Sequence, residues 1–108
     1  MEFPIHVVCS GRGSLRDQIV KDRAALEEYQ LFVEAEKKND RKRGWAKLKS
    51  NRGIRGAINI QWDRRFSTLK ARLVTRGKPG GLSALGNFLD YLLIRWRKRV
   101  RSITASPP

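Results

Sequence analysis

Cysteine occurs once in the 108 residues, at Cys9, so no intrachain disulfide can form. A small domain without disulfides relies on its apolar core, and a reducing, cytoplasmic setting is the simpler expectation. Histidine also occurs once, as His6, which with Cys9 and Met1 makes up the whole stock of soft metal ligands. A structural zinc site takes four ligands, so no metal or other cofactor is expected. Acids are scarce, 10 against 24 Lys and Arg, and beyond residue 40 only Asp63 and Asp90 occur. Two isolated carboxylates do not make the cluster that a catalytic divalent ion needs. No apolar run approaches the ~20 residues that cross a bilayer. The start, Met1 to His6, lacks the basic and apolar regions of a signal peptide, so no membrane partner is expected.

What the chain does have is positive charge, +14 in all. Residues 1–40 hold six bases and eight acids, a net of −2, whereas residues 41–108 hold the other 18 bases against Asp63 and Asp90, a net of +16. Repulsion on that scale destabilises a compact domain unless a polyanion shares the load. Nucleic acid is the commonest such partner, and an acidic protein is a second class. Solubility alone would be served equally well by acids.

The residues Pro4 to Cys9 are β-rich and run into the loop signal Ser10-Gly11-Arg12-Gly13, which predicts a first strand. Ser14 precedes Asp17 at capping-box spacing. Leu15, Ile19, Leu26, Tyr29 and Val33 then form one apolar stripe, predicting a helix that runs to about Lys38. Trp45 to Lys49 reads as a short second helical piece. From there the period changes to two. Ile54, Ile58, Ile60 and Trp62 are set against Arg55, Ala57, Asn59 and Gln61, and Leu69, Ala71 and Leu73 alternate with Thr68, Lys70 and Arg72. The turn residues Asp63 to Ser67 join these runs into an antiparallel hairpin. Ser83 caps a final helix with Leu85, Phe88, Leu89, Leu92, Leu93 and Trp96 on its face, and Val100 to Thr104 reads as a last strand.

This order predicts a single α+β domain over residues 1–104 with a short tail at 105–108. Its expected architecture is ferredoxin-like βαββαβ, with a central hairpin and two main helices on one sheet face. The other face would be open and polar. RNA-recognition domains of that topology stack bases on aromatics of the central strands, and the stretch Leu69 to Arg76 has none. Arginine planes can still stack on bases and pair with phosphates, and amides can read base edges.

The expected contact set is therefore Arg55, Asn59, Gln61, Lys70, Arg72 and Arg76 on the hairpin, continued by Arg95, Lys98 and Arg99 at the basic end of the last helix. A secondary set is Arg41, Lys42 and Arg43 beside Trp45. Arg12 and Arg16 form a possible anion site in the glycine-rich loop, although neither the Walker nor the cysteine-phosphatase spacing is met. The expected function is binding of nucleic acid through phosphates, with RNA or single strands favoured over duplex DNA and no catalytic residue assigned. The enzymatic alternative is a metal-independent, toxin-like endoribonuclease. His6, Tyr29 and Tyr91 are available for it, but no spacing marks an acid–base pair.

Overall fold

The apolar and polar residues of the N-terminal segment alternate, and in the computed structural model they form a strand, β1 (Glu2–Cys9), with Ile5, Val7 and Cys9 turned inward. Residues 2–11, 13–37, 44–50, 56–75 and 83–107 are described. Two short helices follow, α1 (Leu15–Lys21) and α2 (Arg23–Glu28). Ser14 caps the first, its hydroxyl accepting from the Asp17 N–H at 3.1 Å, which satisfies one of the donors a helix start leaves free. Then come β2 (Leu31–Lys37), β3 (Trp45–Ser50), β4 (Ala57–Asp63), β5 (Thr68–Val74), α3 (Ser83–Arg95) and β6 (Val100–Ala105).

The strands form one antiparallel sheet in the order β2-β3-β4-β5-β1-β6. The ferredoxin-like βαββαβ expectation is thereby overturned. Among the described residues there are six strands rather than four, and three helices rather than two. The difference arises in two places. The apolar spacing from Leu15 continues past the helical region, because Tyr29 and Val33 are four apart. The chain nevertheless turns at Gln30, which has a left-handed φ of 65°. Beyond it, Leu31-Phe32-Val33 pairs with β3, as aromatic and β-branched residues favour. The second place is Trp45 to Ser50. Ala, Lys and Leu are good helix formers, yet Ala46, Leu48 and Ser50 are buried while Trp45, Lys47 and Lys49 stay half-exposed, the period of a strand.

The core lies between one sheet face and the helices. Ile5, Val7, Leu48, Ile58, Ile60, Leu69 and Leu73 meet Leu15, Ile19, Leu26, Phe88 and Leu92, all fully buried. Each such side chain contributes roughly 1.5–3 kcal/mol of burial free energy. Both outer strands carry a bulge. On β2 the extra residue is Glu34, between Val33 opposite Leu48 and Ala35 opposite Lys47. On β6 it is Arg101, between Val100 opposite Cys9 and Ser102 opposite Val8. The helices are joined by a buried polar chain. Trp96 Nε1 donates to the Tyr91 hydroxyl at 2.8 Å, and that hydroxyl donates to Asp22 Oδ2 at 2.8 Å. Arg95 donates twice to the same carboxylate, at 3.0 and 3.1 Å. No described helix is long and apolar enough to cross a membrane.

Candidate functional site

Because side chains alternate along a strand, the residues between the core positions share the outer face of the sheet. Strand register aligns them in rows. Trp45, Gln61, Lys70, His6 and Thr104 form one row across five strands, and Lys47, Asn59, Arg72 and Pro4 form the next. On this face a hollow of about 710 Å³ opens between Trp45, Lys47, Asn59, Gln61, Lys70 and Arg72, with Glu2 and Pro4 also lining it. Four of the expected contact residues, Asn59, Gln61, Lys70 and Arg72, thus meet in one place. Trp45, expected beside a separate basic run, joins them because residues 45–50 are a strand. Lys47, not singled out in the sequence, belongs to the same hollow. Recognising the strand period of residues 45–50 would have identified it.

Among the described residues, the three cations of the hollow and the neighbouring Lys49 each have a carboxylate partner. Lys49 and Lys47 reach Glu34 at 2.9 and 3.9 Å, Arg72 reaches Glu2 at 3.3 Å, and Lys70 reaches the buried Asp63 at 3.3 Å. The hydrogen bond from Lys49, helped by the charge of Lys47, holds the Glu34 carboxyl below the usual carboxylate range. Apart from the bridge to buried Asp63, these are exposed surface pairs, worth little in water and cheaply exchanged for another anion.

Arg95 and Arg99, at the basic end of the last helix, do not continue this surface. Arg95 lies in the helical layer, bound to Asp22 and set over the Trp96 ring at 5.3 Å. Arg99 is a brace. Its guanidinium donates to Ser10 O at 2.8 Å, Gly13 O at 2.7 Å and Gln18 Oε1 at 2.6 Å, and it lies 5.8 Å from the centroid of the Trp62 ring. Lys98 is exposed, in the turn before β6. The reason for the split is geometric. α3 covers the core face, and the outer face is the opposite one.

Arg16 is likewise held within the fold. It is 4% exposed and donates to Asp17 Oδ1 at 2.9 Å and Trp45 O at 3.0 Å, with Glu36 Oε2 at 3.2 Å. The glycine-rich loop is held by the Arg99 brace, and it is the positive φ of Gly11 rather than lack of space that calls for glycine there. Gly11 has φ 82°, and a Cβ there would stand 3.6 Å from the Arg99 Nε. Arg16→Met is expected to lower stability by about 1–3 kcal/mol, less than for a fully buried pair because Asp17 and Glu36 still reach water. A urea melt checks this, and nucleic-acid affinity measured on the folded variant should be unchanged. Arg12, Arg41, Lys42, Arg43, Arg55 and Arg76 lie outside the described residues.

Of the groups available for catalysis, Tyr91 is fully buried, and burial pushes its phenol above the ordinary value. Tyr29 is half-buried, edge-to-face with Tyr91 at 5.7 Å. His6 is exposed on the outer face, directly across from Lys70. Cys9 is 5% exposed, its Sγ donates to Val7 O at 3.5 Å, and desolvation raises its thiol pKa. Among the described residues no three His, Cys, Asp or Glu side chains gather as a metal site would require.

No family model, curated protein or solved structure matches the chain. The geometry of its own residues therefore carries the functional reading.

Proposed function

We propose that the protein binds single-stranded nucleic acid, RNA in particular, in the hollow of its outer sheet face. The observation that carries this reading is the convergence there of one aromatic, two amides and three cations: Trp45, Asn59, Gln61, Lys47, Lys70 and Arg72. Aromatic faces stack bases without regard to sequence, amides pair with base edges, and the cations meet phosphates. A sheet face hollowed in this way suits splayed bases better than a rigid duplex.

The test is a titration of labelled single-stranded RNA, single-stranded DNA and duplex DNA with the wild-type protein and Lys47→Ala/Lys70→Ala/Arg72→Ala. Each lost phosphate contact on a single strand removes about 0.7 units of salt slope, so the triple variant should bind roughly 100-fold more weakly at 0.1 M salt. A triple variant that melts like wild type and binds like wild type excludes the hollow.

A second reading, metal-independent RNA cleavage, has one observation in its favour: His6 stands across the strand pair from Lys70 on the outer face. An exposed imidazole beside a cation is half of an acid–base pair. Shortening of the RNA in the presence of EDTA, abolished in His6→Ala, would replace binding by cleavage as the function.

A further inference from the structure

The turn from β4 to β5 reads Arg64-Arg65-Phe66-Ser67. Its aromatic ring is 67% exposed, the most exposed large apolar side chain among the described residues. Hairpin turns are ordinarily polar, and Phe66 is neither part of the core nor packed against it. The turn is also held firmly. Asp63 Oδ1 accepts from the Arg65 N–H at 3.0 Å, the Thr68 hydroxyl donates to Phe66 O at 2.9 Å, and Ser67 O accepts from the Cys9 N–H at 2.9 Å. Ser67 sits at φ 46°, a left-handed conformation that a serine adopts only at a cost.

A second basic turn stands next to it. Cys9, which holds Ser67, is opposite Val100, and the Ser10 N–H donates to Arg99 O at 2.7 Å. The Ser10 hydroxyl donates to Lys98 O at 3.1 Å. The turn carrying Arg97 and Lys98 therefore lies two to three strand spacings, about 10–15 Å, from the one carrying Arg64 and Arg65. All four are exposed, and none forms an ion pair with a described carboxylate. This is the reverse of the hollow, where each cation is matched.

We infer that this sheet end is a second contact site, at which Arg64, Arg65, Arg97 and Lys98 grip phosphates while Phe66 stacks on a nucleobase. The inference rests on the nucleic-acid reading and extends it beyond the hollow. Lys70, in the hollow, lies only two residues from Thr68, about 7 Å along β5. One strand can therefore run from the hollow over the end of the sheet. A polyanion without rings would use the arginines and leave Phe66 idle. A nucleic acid uses both, and the pinned turn presents the ring with little ordering left to do.

The experiment is fluorescence anisotropy of a labelled oligouridine and an oligothymidine over several salt concentrations. It compares wild type with Phe66→Ala, Phe66→Trp, Arg64→Ala/Arg65→Ala and Lys70→Ala/Arg72→Ala. Phe66→Ala should bind roughly 5- to 150-fold more weakly with an unchanged salt slope, and Phe66→Trp should restore binding. Arg64→Ala/Arg65→Ala should lower the slope by roughly 1.4 units. If only Lys70→Ala/Arg72→Ala weakens binding, the sheet-end site is overturned and the hollow stands. If wild type binds neither oligonucleotide at low salt, both fall. Vesicles of phosphatidylcholine with phosphatidylserine form the other arm. Phe66-dependent vesicle binding, together with unaltered oligonucleotide binding by the turn variants, assigns the turn to anionic lipid and overturns the proposal.

Discussion

Asp22→Ala is expected to lower the stability of the protein by about 2–3 kcal/mol. The Tyr91 hydroxyl is fully buried and donates to the Asp22 carboxylate at 2.8 Å while accepting from Trp96. Deleting the carboxylate leaves that donor without an acceptor, which costs about 1–3 kcal/mol, and also removes a charge-assisted bond. Arg95 is exposed and returns to water, so its loss adds little. Asp22 also joins α1 to α2, its carbonyl accepting from the Leu26 N–H at 3.0 Å, but any residue keeps that bond. For a domain of this size the change corresponds to a fall in Tm of roughly 8–20 °C. Asp22→Asn keeps an acceptor for Tyr91 and should lose less than half as much. Tyr91→Phe should lose a similar fraction, because Trp96 then gives up its partner. Thermal melts of the three variants decide the matter. Equal losses in all three would show that the carboxylate does not anchor the network.

The largest effect on binding is expected from salt. Suppose that three cations of the hollow and four at the sheet end each neutralise a phosphate. Log affinity for a single strand should then fall with log salt at a slope of about −5. Raising salt from about 50 to 200 mM would weaken binding roughly 1,000-fold. An acidic protein partner, lacking condensed counterions at polyelectrolyte density, should show a much shallower slope. A nucleic-acid analogue with an uncharged backbone is the matching control. It should bind weakly and almost independently of salt, through stacking alone. A slope no steeper than −1 for RNA would mean that few phosphates are touched, whatever the formal charge of the chain.

Legibility in the sequence followed from how local each feature is. The β4–β5 hairpin was readable because two period-2 runs flank a turn, and the face that this alternation exposes holds Asn59, Gln61, Lys70 and Arg72. The last helix was readable from its apolar face, and Phe88 and Leu92 are indeed fully buried. Strands β2 and β3 were not. The apolar spacing that leads into β2 and the Ala, Lys and Leu of β3 suit a helix, and pairing with each other and with β4 decides for strands. Tertiary context outweighs propensity in such short segments.

The same limit applies to charge. A sequence counts Arg16, Arg95 and Arg99 as cations, but each is committed to partners that the fold brings from 29 to 89 residues away. In the sequence, Arg64 and Arg65 are simply part of the turn Asp63 to Ser67. The signal that could have found them is Phe66, an aromatic where turn chemistry asks for none.

The two bulges at the margins of the sheet have a consequence for how copies of the protein meet. A flat outer strand is a ready template for fibrils, offering an even row of donors and acceptors to the next molecule. Here both outer strands, β2 and β6, break that row, one with Glu34 and the other with Arg101 as the unpaired residue. A bulge bends and twists its strand out of register with an incoming neighbour, and on β6 the interruption also carries a positive charge. Copies of the protein can therefore lie close together with little tendency for their sheets to join edge to edge.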